Sequence, residues 1–212
     1  HNFGCTCYIN SILQQLFHIT DFHFALLETM DVHETKDPKV YNLASSLFDL
    51  FSELQYSYSN QAIPQDFIDE FGGIDVSVQC DCREFFLSLI DRLKITLFDG
   101  KLKNVITSTT DSNKKSESFE PFTVLTLPIR NLDNLDESLD QFFAADYFND
   151  YAFSDSDEKC NVKKTCEFGA TSNHLIIQLN RFDSDYETNE RTKITSKFTI
   201  DTEIELNNKH YD

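Results

Sequence analysis

Thr6-Cys7-Tyr8-Ile9-Asn10-Ser11-Ile12-Leu13-Gln14-Gln15-Leu16-Phe17 is the stretch from which the other readings follow. Ile9, Ile12, Leu13, Leu16 and Phe17 fall at i, i+3, i+4, i+7 and i+8, the stripe of a buried amphipathic helix. Cys7 then lies at or near the first turn, where unpaired backbone N–H groups and the helix dipole favour a thiolate. That makes Cys7 a candidate nucleophile, although a cysteine beside an apolar helix is more often a small buried hydrophobe. Asn2 lies five residues upstream across Gly4. A loop folding back over that distance would aim its amide at an oxyanion beside Cys7, while an Asn near a Gly is, without further context, more often an ordinary turn.

Downstream, Val40, Leu43, Leu47, Leu50, Phe51 and Leu54 mark a second helix, and Pro64 opens a short third that Gly72 and Gly73 close. Phe85, Phe86, Leu89, Ile90 and Leu93 mark a fourth, so the first half is mostly helical. Beyond Gly100 the texture changes. Thr107 to Ser118, rich in Ser, Thr, Lys and Asn, reads as a mobile loop or hairpin tip. Phe122 to Ile129 reads as a strand, Leu135 to Phe143 as a short helix and Leu175 to Phe182 as a buried strand. The alternation of Ile194, Ser196, Phe198 and Ile200 suggests one more strand. Helices followed by strands, without regular alternation, indicate an α+β architecture.

With 212 residues, 40% hydrophobic and including 20 Phe and 8 Tyr, the chain can bury a substantial core. Its net charge of −18 repels phosphates, which argues against nucleic acid and makes a basic protein or peptide partner the expectation, although on composition alone such acidity more often only keeps a protein in solution. No apolar run approaches the roughly 18 residues a bilayer requires, and the first residues lack a signal-peptide pattern. A soluble protein of the cytoplasm, with the nucleus as the alternative, is expected. Cysteines stand at 5, 7, 80, 82, 160 and 166, two of the three pairs as Cys-x-Cys, too tight for an ordinary disulfide within the pair. With no Cys-x-x-Cys, the usual zinc ligand spacings are missing. Neither metal nor cofactor is expected.

Asn2-Phe3-Gly4-Cys5-Thr6-Cys7-Tyr8-Ile9-Asn10-Ser11-Ile12-Leu13-Gln14-Gln15-Leu16 resembles the cysteine box of the ubiquitin-specific proteases, N-x-G-x-T-C-Y-M-N-S-x-L-Q-x-L, with Ile9 for Met and Cys5 where Asn or Ala is usual. Gln79-Cys80-Asp81-Cys82-Arg83-Glu84-Phe85-Phe86-Leu87-Ser88-Leu89-Ile90-Asp91 resembles that family's Q-x-D-x-x-E-F-x-x-x-L-x-D helix. Its carboxylates Asp81, Glu84 and Asp91 are expected on one face, opposite the apolar one. Leu175 to Phe182 resembles the palm strand ending L-K-R-F, and Lys193 to Leu206 the run that follows it. The connection Asn134 to Phe143 and the pattern around Tyr41 to Phe71 look most like the large, fat-facets-type members.

The resemblance implies a papain-like α+β cysteine protease of thumb, palm and fingers. It puts the thumb at 1–95, the fingers and adjoining palm strands at 96–130 and 144–170, and the palm at 131–143 and 171–212 of a single catalytic domain. It implies Cys7 as nucleophile and Asn2 as oxyanion donor, with Gln79, Asp81 and Glu84 binding the Arg-bearing tail of ubiquitin. Carboxylates suit Arg through paired charge-assisted bonds. Ubiquitin and ubiquitinated proteins are the implied partners. The sequence departs from the family at the fingertips, where Thr107 to Thr110 and Phe153 to Ser156 stand in place of the zinc-binding Cys-x-x-Cys pairs. It also ends at Asp212, before the expected histidine motif. His210-Tyr211 mimics H-Y too close to Phe182 to be that motif, and Tyr211 reads as the start of the next strand. The implied activity is therefore deubiquitination with Cys7 as nucleophile, completed by a His-bearing segment outside this chain. The alternative is a ubiquitin-binding pseudoenzyme without the histidine.

Overall fold

Local sequence sets the helix boundaries. The computed structural model describes residues 4–34, 36–59, 61–154, 158–184 and 191–211, and the chain divides into two compact units, His1–Leu97 and Phe98–Asp212. The first unit is all helical: α1 (Cys7–Phe17), α2 (Thr20–His33), α3 (Pro38–Tyr56), α4 (Gln65–Phe71) and α5 (Cys82–Leu93). Pro38 occupies the first turn of α3, and the Asp37 carboxylate before it accepts from the Lys39 and Val40 N–H groups. Pro64 precedes α4 and Gly72, at positive φ, ends it, as expected from the sequence.

The core of this unit is aromatic. Phe51 of α3 meets Phe17 edge-on at 5.5 Å and Phe22 of α2 at 6.2 Å, while Phe85 of α5 meets Phe67 and Phe71 of α4 at 6.5 and 5.3 Å. The Arg92 guanidinium lies 4.2 Å over the Phe71 ring and donates to the Phe71 carbonyl, so α4 and α5 are joined by both packing and charge. Leu89 and Leu93, fully buried on α5, each contribute roughly 1.5–3 kcal/mol of burial. Helix α2 is absent from the sequence reading because its apolar residues are not confined to one stripe. Phe22 and Leu26 are buried, but Phe24 and Leu27 point to solvent.

The second unit is built on β1 (Gly100–Ser108), β2 (Lys115–Phe122), β3 (Val124–Pro128), α6 (Leu135–Phe142), β4 (Asp146–Ala152), β5 (Lys159–Ala170), β6 (Ile176–Asn180), β7 (Phe182–Ser184), β8 (Arg191–Lys193), β9 (Ile204–Leu206) and β10 (Lys209–Tyr211). An antiparallel sheet runs in the order β2-β1-β5-β4, β3 and β6 pair in parallel, and β9 and β10 form a hairpin. Asn207 and Asn208, both at positive φ, make the two-residue turn of that hairpin. Gly100 has no side chain because the Phe122 ring of the paired strand occupies that space. Leu102, Leu125, Leu127, Leu135 and Leu139 form the buried cluster of this unit. Asn134 caps α6 by accepting from the Glu137 N–H at 2.9 Å, and Glu137 reaches back to accept from the Asp133 N–H.

The α+β class holds, with three corrections to detail. First, the loop expected over Thr107 to Ser118 narrows to a turn at 109–114, because β1 runs to Ser108 and β2 begins at Lys115. Second, β5 is twelve residues long but carries no periodic signal of its own: most of it is polar or partly exposed, so neither an apolar run nor a clean alternation marks it, and only the family resemblance put strands at 144–170. Third, the strand expected across Ile194, Ser196, Phe198 and Ile200 is not one. Thr199 bridges the loop before α6, donating to the Asp133 carbonyl at 2.8 Å and accepting from the Leu135 N–H at 3.1 Å. Ile194 and Phe198 are half-buried while Ile200 is exposed, so burial does not alternate. Tyr211, expected to begin a strand, is the last residue of β10.

Candidate active site

Cys7 is the first residue of α1 and its side chain is exposed, the geometry a thiol nucleophile needs. Thr6 before it is fully buried. The backbone leading into α1 is held by a segment from elsewhere in the unit. The Cys5 N–H donates to the Val76 carbonyl at 2.7 Å, and Gly4 sits at φ +74° with that same oxygen 2.5 Å from where a Cβ would stand. Residue 4 must therefore be glycine, for conformation and for space.

The 74–80 segment has no regular secondary structure and is shaped by its own polar groups. The Asp75 carboxylate accepts from the Ser77 N–H at 2.9 Å and the Ser77 hydroxyl at 2.6 Å, and these bonds hold its pKa below the usual carboxylate range. Tyr8 is buried and packs edge-on to Phe85 of α5 at 5.6 Å. Burial is the main reason its phenol is pushed up to about 12, with the neighbouring Cys80, Asp75 and Cys7 adding to it. The start of α1 and the 74–80 segment are thus brought together through Val76.

The acidic edge follows directly. Gln79 and Glu84 are exposed, and Asp81 is the N-cap of α5, accepting from the Arg83 N–H at 2.7 Å and the Glu84 N–H at 3.4 Å. This refines the expectation of three carboxylates on one helical face. One oxygen of Asp81 is committed to capping from outside the helix, and Asp91 sits near the far end of α5, paired with Lys94 at 3.3 Å. Gln79, Asp81 and Glu84 remain as one edge at the start of α5. The cap at Asp81 was legible as a short acidic residue before an apolar-periodic run, whereas the Tyr8 and Val76 contacts had no sequence signal.

Asn2 lies outside the described residues. His18 ends α1 at the pole opposite Cys7, and His23 bonds the Phe17 carbonyl at 2.8 Å. In the second unit His210 stands exposed on β10, 3.9 Å from Glu203. A groove of about 460 Å³ between α3 and α4, walled by Asp49, Glu53, Asp66 and Glu70, includes neither Cys7 nor the edge.

A family model described as ubiquitin carboxyl-terminal hydrolase matches residues 1–211. The chain is similar to ubiquitin carboxyl-terminal hydrolase 47 of Drosophila melanogaster, 27% identical over 229 residues covering 97% of this chain and 14% of that protein. It is similar also to ubiquitin carboxyl-terminal hydrolase 24 of Homo sapiens, 29% identical over 211 residues covering 91% of this chain and 8% of that protein. Among solved structures it is similar to a chain of the SAGA Ubp8/Sgf11/Sus1/Sgf73 DUB module bound to ubiquitin aldehyde, with TM-score 0.80 and 22% identity over 97% of this chain and 51% of that one. At that identity the likeness shows the fold alone, and the expected α+β architecture is that of the solved chain. The 212 residues span about half of it and a small part of the curated relatives.

Proposed function

Because the chain belongs to the ubiquitin carboxyl-terminal hydrolase family, we propose that it carries the nucleophile and tail-binding edge of a deubiquitinase, hydrolysing the peptide or isopeptide bond after the C-terminal glycine of ubiquitin. The observation that supports this most is the exposed Cys7 at the first position of α1, tied through Val76 to the segment that leads into the acidic edge. In this reading the Cys7 sulfur attacks the glycine carbonyl, and the Asn2 amide donates to the oxyanion. The C–N bond breaks as an imidazolium protonates the departing amine, and water then hydrolyses the thioester. The proposal places that histidine outside these 212 residues.

Gln79, Asp81 and Glu84 are assigned to the Arg-bearing tail of ubiquitin, where a carboxylate accepts paired bonds from a guanidinium. The free oxygen of Asp81 and the exposed Glu84 have that capacity. We assign the helical unit to the thumb and the strand unit to fingers and palm. The likeness to fat-facets-type members belongs to the same proposal, as does a cytoplasmic or nuclear setting. A reducing compartment suits six free cysteines, one of them the nucleophile.

The test is covalent capture. Full-length protein incubated with ubiquitin bearing a C-terminal electrophile should form an adduct at Cys7 that Cys7→Ala abolishes. Reversible ubiquitin binding without an adduct would overturn the enzyme in favour of a pseudoenzyme.

A further inference from the structure

We propose that Asp75 is a positioning residue for Cys7, its carboxylate closing the turn that aims the Val76 carbonyl at the backbone leading into α1. The inference rests on the functional reading above and adds a residue to which that reading gives no part. Val76 and Ser77 are the central residues of a turn over 75–78, in which the Val78 N–H donates to the Asp75 carbonyl at 3.1 Å. The Asp75 carboxylate closes the same turn, accepting from the Ser77 N–H at 2.9 Å and the Ser77 hydroxyl at 2.6 Å. The carbonyl of a turn's second residue takes no part in the turn's own bonds and is open to an outside donor. Here that carbonyl belongs to Val76, and the donor is the Cys5 N–H at 2.7 Å, two residues before the thiol.

Neither central residue of this turn is glycine or proline, the residues that favour a turn through their own backbone. Val76 and Val78 are 39% and 50% exposed, so packing holds them weakly, and the segment carries no helix or strand. Upstream, Gly72 and Gly73 both lie at positive φ and pass on no regular structure from α4. The bonds of Asp75 therefore set the direction of the Val76 carbonyl. The start of a helix frays unless something outside it holds the first turn, and Thr6 provides no side-chain cap. The Cys5 bond to Val76 supplies that restraint just ahead of Cys7, and the same oxygen stands 2.5 Å from where a Cβ on Gly4 would lie, so a shift of the carbonyl is passed straight to the chain entering α1. As a mere surface carboxylate Asp75 would tolerate alanine without consequence. A near-attack geometry is lost with small displacements, so the effect belongs to turnover rather than to binding.

The experiment compares Asp75→Ala, Asp75→Asn, Ser77→Ala and the combination of Asp75→Ala with Ser77→Ala in the full-length protein, using a fluorogenic amide at the ubiquitin C-terminus. Asp75→Ala should lower kcat about tenfold, with KM within about twofold of wild type. Asp75→Asn keeps a side-chain oxygen that closes such turns and should retain most of the turnover. Ser77→Ala loses the hydroxyl and keeps the N–H, so its kcat should fall between. Adding it to Asp75→Ala should cost nothing further, because both act on one carboxylate. A rise in KM alone would assign Asp75 to the acidic edge, an asparagine no better than alanine would assign it a role through charge, and losses that multiply would separate the two residues; each overturns the proposal. If wild type forms no adduct and no product, the functional reading fails separately. The turn is then read from amide hydrogen exchange. In Asp75→Ala it should quicken in peptides covering residues 4–12 and keep the wild-type rate in α3, while Asp75→Asn matches wild type in both. Unchanged exchange over 4–12, or exchange quickened across the whole helical unit, would sink the positioning role.

Discussion

The start of α1 and the tip of the β1–β2 hairpin are both tight turns, and they are held by opposite means. At the helix start, a backbone carbonyl, that of Val76, occupies the only space a side chain at residue 4 would need, and a buried aromatic ring pins the first turn. At the hairpin tip, polar bonds do the holding, several of them on one buried hydroxyl. The Ser108 oxygen accepts from the Thr110 and Asp111 N–H groups at 3.3 and 3.4 Å and pairs with the Thr110 hydroxyl at 3.1 Å. The Thr109 N–H then donates to the Asn161 carbonyl of the neighbouring strand at 2.9 Å. Steric exclusion fixes a position to within tenths of an ångström, whereas bonds of 3.3–3.4 Å bend. The candidate nucleophile sits in the part of the molecule built the first way.

Substitutions can break that contrast, and the largest effect should come from Gly4→Ala. A left-handed backbone and a clash with a carbonyl oxygen together should cost about 2–4 kcal/mol. The denaturation midpoint and the rate of adduct formation at Cys7 should fall together. A variant as stable and as fast as wild type would show that the clamp gives way.

The next effect sharpens the role of Asp81. Asp81→Ala should lose about 1 kcal/mol from the α5 cap, and ubiquitin affinity with it. Asp81→Asn keeps a good cap, so its melting temperature should match wild type while KM for ubiquitin substrates rises. Unchanged KM in Asp81→Asn would confine Asp81 to a structural role.

At the hairpin tip Ser108→Ala should cost about 1 kcal/mol, the ordinary value of a lost buried hydrogen bond. Adduct formation at Cys7 should be untouched, and a slower adduct would erase the distinction between the two regions.

The smallest effect is one of pH. Between about pH 10, where an unfolded tyrosine titrates, and about 12, where Tyr8 does in the fold, the folded chain retains a proton the unfolded chain has lost. Stability therefore declines across that window as pH rises. Tyr8→Phe should remove this part of the decline, read as a smaller drop in melting temperature between pH 9 and 11 than in wild type. Identical slopes would mean that the Tyr8 phenol titrates normally.

What could be read in advance follows the range of the physics. The stripes of α1, α3 and α5 were legible because neighbours three and four apart share a helix face whatever the rest of the chain does. The bounds of α4 were written in Pro64 and Gly72 for the same local reason. Strand β5 was not legible, since its partners are set by main-chain pairing with β1 and β4 and its side chains record little of it. The misread stretch at 194–200 failed differently: its alternation is real in the sequence, but the backbone found a loop rather than a strand to pair with.

For the candidate site the division is similar. The sequence alone determined that a helix begins at or near Cys7, that another carries Phe85 to Leu93, and that their apolar faces turn inward, because periodicity is a short-range property. Only the tertiary structure decided that Val76 would bar a side chain from residue 4 and that Tyr8 would pack edge-on to Phe85. Those contacts join residues about seventy positions apart, and nothing in either stretch by itself specifies the distance between them.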